Sequence, residues 1–274
     1  MKPISFIGTG NMATAIIGGM LSAGTDPKLI YVYDKLADKA EALASARGLN
    51  IAPSLQAAYE SGELILLAVK PQNFAEVLGE LRESGVCLDG KTFISIAAGI
   101  STTAIEKMLC RECAVVRVMP NTPLMVGKGA SALCRNPRVC DEDFLIACSI
   151  FESAGMIMVI DESQMNTVIC ANGSSPAYFY YFIDAVVRSA MAQGLDLDER
   201  TVLEAVCQTV IGSAQMLLDS GKTAGELTRA VTSPKGTTER AMNVLYDEKV
   251  DEIIDRAMRA CTARAEEMAK EFGA

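Results

Sequence analysis

The sequence predicts an α/β protein in two parts, a doubly wound sheet followed by an all-helical segment, and three observations predict it. Up to about Asp161, short β-branched runs alternate with amphipathic stretches. Those runs are apolar at consecutive positions, as strands buried on both faces must be, so the sheet is expected to be parallel with helices on either side. After Asp161 the runs stop and three long helical patterns take over. The expected division is therefore a sheet domain over residues 1–161 and a helical domain over residues 162–274.

In chain order, the strands are expected at ISFIG from Ile4, LIYVYD from Leu29, LILLAVK from Leu64, TFISIAAG from Thr92, AVVRVMP from Ala114 and MIMVI from Met156. Between them lie amphipathic segments such as Leu36 to Arg47. The last helix carries Val250, Ile254, Ala257, Met258, Cys261, Ala265 and Met268 at helical spacing, with charges on the other face. The segment Pro176 to Gln193 is apolar almost all round, its main charges Asp184 and Arg188 four apart. A small helical domain can hardly bury such a helix alone, so a homodimer interface is the economical reading. A central helix within one larger domain is the alternative.

Composition narrows the function. A net charge of −9 with no basic cluster argues against nucleic acid. No stretch approaches the roughly 20 uninterrupted apolar residues of a membrane span. The apolar amino terminus, broken early by glycines, reads as a strand entering a turn and not as a signal peptide. Nine cysteines without regular spacing fit free thiols in a reducing cytoplasm. The one CxxC, Cys110 to Cys113, reads as a surface turn, and no metal site is expected. Histidine is absent, so any proton chemistry uses other groups.

The stretch FIGTGNMATAI places Gly8, Gly10 and Ala13 as GxGxxA between the first strand and a helix. Gly8 permits the tight turn, Gly10 lets backbone approach a pyrophosphate, and Ala13 lets helix and strand pack closely. With Thr9, Asn11 and Met12 these residues form the expected dinucleotide cradle at a helix amino terminus. Asp34 ends the second strand about 24 positions after Gly10, where an acid accepts hydrogen bonds from both adenosine ribose hydroxyls, which favours NAD. Lys35 and Lys39 stand beside it and offset part of its repulsion of an NADP phosphate. AVKPQ, SIAAG and MPNTP end later strands on the carboxyl edge of the sheet. They add Ala68, Val69, Lys70, Pro71, Ala97, Pro120 and Asn121 to the cofactor candidates, with ordinary strand-to-helix turns as the alternative reading of AVKPQ and SIAAG.

Late in the chain, SPKGTT (Ser233 to Thr238) interrupts two helical segments and reads as a helix-capping turn able to bind an anion.

Taken in order, FIGTGNMA, AVKPQ, SIAAG, MPNTP, GSSPAYFYYFIDA and SPKGTT resemble the pyrroline-5-carboxylate reductase family over nearly the whole chain. The resemblance implies a Rossmann-type domain and a helical dimerisation domain interlocked with a second subunit, often within larger assemblies. It implies NADPH or NADH reducing the cyclic imine 1-pyrroline-5-carboxylate to L-proline. It implies that Ser233, Lys235, Gly236, Thr237 and Thr238 hold the substrate, with the Thr238 hydroxyl on the ring nitrogen as the catalytic contact. Glu162 matches a position whose acid lies near substrate in some relatives. The sequence departs from the family pattern at Lys235, where a second glycine is usual, and at Ala171 and Asn172, where serine and glycine are usual.

Two rivals remain at this level. A β-hydroxyacid dehydrogenase type of reductase needs a lysine on the interdomain helix, and Pro176 to Gln193 has none. A non-catalytic dinucleotide sensor leaves the Ser233 to Thr238 turn without a small-molecule task.

Overall fold

A computed structural model describes residues 1–272. The first compact unit comprises Met1–Ser174 together with the described part of Ala260–Ala274, and the second comprises Ser175–Arg259.

The first unit is built on one sheet. Its strands are β1 (Ile4–Ile7), β2 (Ile30–Tyr33), β3 (Asn50–Ile51), β4 (Leu64–Leu67), β5 (Thr92–Ser95), β6 (Ala114–Met119), β7 (Gly129–Arg135) and β8 (Gly155–Val159). They lie in the order β3-β2-β1-β4-β5-β6-β7-β8. All neighbours run parallel except β6 and β7, which are antiparallel. The expected all-parallel sheet is thus corrected at one strand. GASALCR, the sequence of β7, is rich in small residues of low strand propensity and gave no strand signal, yet it fills the gap between β6 and β8.

Helices α1 (Asn11–Ser22), α2 (Ala37–Arg47), α3 (Leu55–Ser61), α4 (Phe74–Glu83), α5 (Thr102–Leu109), α6 (Asp141–Glu152) and the short α7 (Val168–Ala171) complete this unit. Their apolar sides form two large clusters with the strands. Ile4, Phe6, Ile16 and Ile30 belong to one, and Ile7, Tyr59, Phe74 and Phe93 to the other. Because strand side chains alternate between faces, Phe6 and Ile7 serve different clusters. Every residue of β1, β4 and β5 is buried. Each such Leu, Ile or Phe contributes about 1.5–3 kcal/mol through lost apolar exposure, which is why continuous apolar runs rather than alternation mark these strands.

The chain leaves β1 toward β2 and β3 on one side, then returns to β4 on the other. This reversal opens a crevice at the carboxyl ends of β1 and β4, the place where open α/β sheets bind ligands.

The sequence places the division at Asp161, whereas by packing the first unit runs on to Ser174. Met165 is buried against Ala132 and Cys134, and Asn172 donates to the Met119 and Ala130 carbonyls at 2.8 and 3.1 Å. Asn172 therefore ties α7 to the β6–β7 connection. The last helix contributes too: Ala265 and Ala269 are buried, and a Cβ on Gly99 would lie 3.0 Å from Cβ of Met268.

The second unit contains α8 (Ser175–Ala192), α9 (Glu199–Asp219), α10 (Ala224–Ala230), α11 (Thr237–Asp247) and the start of α12 (Val250–Glu271). Helix starts are capped by sequence: Asp198 accepts from Thr201 N–H, and Thr223 with Glu226 forms a reciprocal capping box. Asp184 and Arg188 pair on α8 at 2.8 Å. Among the described residues, α9 alone is long and apolar enough by composition to cross a membrane. Glu204 and Gln208 interrupt its apolar surface.

Candidate active site

The glycine turn after β1 is required by its surroundings. Gly8 has φ +99, a left-handed conformation that residues with a side chain avoid. A Cβ there would lie 2.9 Å from both the carbon and the oxygen of the Ala68 carbonyl. Gly10 differs: it is the N-cap of α1, and a Cβ on it would meet nothing within 4 Å. Protein packing does not demand that glycine, and the approach to its backbone is open. Helix α1 has no side-chain cap and no acid in its first turn, which leaves first-turn N–H groups of Asn11, Met12 and Ala13 for an anion. Ala13 is fully buried, as close helix–strand packing requires.

A cavity of about 610 Å³ opens beside this turn, lined by Gly8, Gly10, Asp34, Ala68, Val69 and Lys70 among others. Six sequence-predicted cofactor residues thus share one crevice. Asp34 is more constrained than its sequence position suggests. Its Oδ2 accepts hydrogen bonds from Thr9 N–H at 2.8 Å and from the Thr9 hydroxyl at 3.0 Å, while Oδ1 accepts from Leu36 N–H at 3.0 Å. Burial pulls this carboxyl upward, but those hydrogen bonds and nearby Lys39 outweigh it and hold its pKa below the usual aspartate value. A carboxylate offers about four lone-pair positions. Three are taken, so one remains on Oδ1 for a single hydroxyl, where the sequence alone suggested two.

Other candidates are placed differently. Pro71 opens a single turn of 3₁₀ helix that starts the connection to α4. Ala97 is buried in the core with Phe93 and Ile100. Pro120 is buried, and the Asn121 carboxamide is turned inward, donating to the Asn172 carbonyl at 3.1 Å and accepting from Ala130 N–H at 2.9 Å. Its side chain locks the loop. Glu162 is likewise engaged: its two oxygens accept from Thr102 N–H and the Thr102 hydroxyl, both at 2.7 Å, and one lies 3.6 Å from the buried Arg117 guanidinium. Arg117 also donates to Asn166 at 2.8 Å, and burial lowers its pKa despite Glu162. Sequence reasoning missed Thr9 as the partner of Asp34, and the signal was available: a hydroxyl between the two glycines faces the end of β2.

In the second unit, the Ser233 to Thr238 turn starts α11. Gly236 is the N-cap and provides no side chain, so Thr237 and Thr238 begin the helix with no side-chain cap on their N–H groups. Gly236 N–H donates to the Ser233 carbonyl at 2.9 Å, and Lys235 N–H donates to Glu239 at 2.8 Å. Lys235 has φ +61. Lysine occupies this left-handed position at a cost of about 1–2 kcal/mol that a glycine would not incur. Ser233 and Lys235 are exposed, and Thr238 is half-buried.

A glycine cradle at the reversal of a doubly wound sheet, an acid locked at the end of the second strand, and a separate helical unit define a class: Rossmann-type dinucleotide-dependent oxidoreductases. Residues 3–99 match the family model described as NADP oxidoreductase, coenzyme F420-dependent, and residues 162–268 match that described as pyrroline-5-carboxylate reductase dimerisation. The pyrroline-5-carboxylate reductase of Escherichia coli is 36% identical over 270 residues, covering 98% of this chain and 99% of that one. The solved structure of a pyrroline-5-carboxylate reductase from Coxiella burnetii aligns with TM-score 0.88 at 33% identity, covering 98% of each chain. The pyrroline carboxylate reductase of Plasmodium falciparum, solved with NADP bound, aligns with TM-score 0.86 at 28% identity over 98% of each. The chain belongs to the pyrroline-5-carboxylate reductase family.

Proposed function

We propose that this chain reduces 1-pyrroline-5-carboxylate to L-proline with NAD(P)H, as a cytoplasmic homodimer whose subunits exchange helices. Family membership over the full length supports the activity and sets aside the hydroxyacid dehydrogenase and sensor readings. The observation that carries the residue-level account is that one chain holds both an open dinucleotide cradle at Gly8 to Ala13 and an uncapped helix start at Thr237 and Thr238.

The residues present fit the cofactor: Gly10 leaves backbone open to it and α1 keeps first-turn N–H groups free of side-chain caps. When bound, the reduced nicotinamide supplies a hydride. The substrate carboxylate is held by the N–H groups of Thr237 and Thr238, where helix peptide dipoles favour an anion. Lys235 and Ser233 flank that carboxylate and add positive charge and a hydroxyl donor. The Thr238 hydroxyl accepts the N–H of the protonated ring and fixes its plane. A protonated imine is already electrophilic, and its nitrogen keeps its own proton as carbon gains hydride. No general acid is needed, which is consistent with a chain without histidine. Orientation and exclusion of water then supply the acceleration.

Glu162 belongs to this account only through Thr102 and Arg117, as the carboxylate that fixes the start of α5. Exposed aromatic residues on α8, among them Phe179 and Tyr181, support helix exchange between copies. Nine free cysteines suit a reducing compartment. Mixing purified protein with the imine and NADH or NADPH, and following nicotinamide absorbance, tests the activity. Imine-dependent oxidation is expected, and its absence with both cofactors overturns the proposal.

A further inference from the structure

We propose that Asp34, locked by Thr9, makes this chain an NADH-preferring member of its family. The inference rests on the reductase reading and concerns which dinucleotide the same crevice accepts. NADP differs from NAD by a phosphate on the adenosine 2′ oxygen, the group expected at the end of β2. Here that place is filled by a carboxylate that cannot move aside without breaking three hydrogen bonds, two from Thr9 and one from Leu36. Its remaining Oδ1 position accepts a hydrogen bond from a ribose 2′ hydroxyl. A 2′ phosphate offers no such donor and brings about two negative charges against a fixed one.

The surrounding charges do not reverse this. Lys35 is drawn away to Glu76, with Nζ 2.5 Å from its Oε1. Glu76 and Glu80 line the same cavity, so three carboxylates with Asp34 face Lys35, Lys39 and Lys70, and no arginine is among the described lining residues. Arginine is the side chain whose planar fork grips phosphate in two-point fashion, and flexible lysines do not replace it. Lys39 lies close enough to Asp34 for its charge to offset part of that carboxylate.

The test separates cofactor choice from catalysis. Quenching of dihydronicotinamide fluorescence, titrated without imine, gives Kd for NADH and NADPH. Steady-state kcat/KM with the imine gives the same ratio during turnover. NADH should be favoured at least about 10-fold in both, a factor that one partly buried charge contact supplies. In the unaltered protein the ratio should shrink as salt rises from about 0.02 to 0.5 M, because repulsion of the phosphate is screened. Asp34→Asn keeps an acceptor for Thr9 and drops the charge. It should move the ratio toward NADPH by about 10-fold, with Asp34→Ser as the second variant should the first not fold. Equal or tighter NADPH binding by the unaltered protein overturns the proposal, as does a ratio indifferent to salt or to either substitution. Discrimination in binding with no turnover would instead count against the reductase reading and leave this inference standing.

Discussion

The two compact units dispose of apolar side chains in opposite ways. In the sheet unit, whole strands are inaccessible, and Tyr59, Phe6, Phe74, Phe93 and Phe151 lie fully buried. In the helical unit, only Pro176 and Val187 of α8 and Val202 of α9 are buried, whereas Tyr181 is 67% exposed and Leu218 79%. A helical unit of this kind has no complete core in one chain. The comparison teaches that the sheet unit completes a core within one chain and the helical unit does not, in keeping with the dimerisation model it matches.

The largest expected effect breaks that contrast. Replacing Tyr181 and Leu218 together with glutamate should convert a particle of at least twice the chain mass into monomer or aggregate, as read by light scattering. A chain that is monomeric before substitution would remove the contrast between the units. Next comes Gly8→Ala, which forces a side chain into a left-handed position 2.9 Å from the Ala68 carbonyl. It should lose about 2–4 kcal/mol of stability in chemical unfolding and bind NADH at least about 10-fold more weakly. Unchanged cofactor affinity would move the cradle elsewhere.

A smaller effect sharpens the account of the sheet unit. Asp143 accepts from Lys2 at 2.7 Å and from Thr92 at 2.6 Å. Burial raises its carboxyl, but these partners outweigh it, so its folded pKa lies below the ordinary 3.8. A depressed folded pKa contributes stability that is fully present above the unfolded value and lost as pH falls through the folded one. Asp143→Asn should therefore cost about 2 kcal/mol at neutral pH, and the deficit should shrink below about pH 4. A deficit constant down to pH 2 would show that the charge is irrelevant. The smallest effect is Lys235→Gly. It relieves left-handed strain and should leave stability equal or about 1 kcal/mol higher, while KM for the imine rises severalfold and KM for the cofactor stays put. An unchanged imine KM would turn the lysine into a solvent-facing residue.

How much was legible in the sequence follows from how local each signal was. The runs at β1, β4 and β5 announced themselves because strands buried on both faces need consecutive apolar residues, and β2, β6 and β8 showed apolar runs of the same kind although β8, at the sheet edge, leaves Met156 and Val159 exposed. β3, two residues long, and β7, built on Gly129, Ala130 and Ser131, are held by their neighbours and had no signal of their own. The Gly8 turn and Asp34 were legible because their spacing is fixed by one β-α-β unit. The roles of Asn121 and Glu162 were not. Their partners lie 51 and 60 positions away at Asn172 and Thr102, and only the folded chain shows that both side chains are already engaged. Glu162 to Ser174 carries no strand run, so the sequence groups it with the helices, while packing groups it with the sheet unit.

Thr238→Ala tests the central claim most directly, by kcat for the imine measured beside Kd for the reduced cofactor. The account predicts a fall in kcat of about 10- to 100-fold, the loss of one hydrogen bond to a charged group, with cofactor Kd unchanged within about twofold. Weakened cofactor binding to the same degree, or a kcat that does not fall, would contradict it.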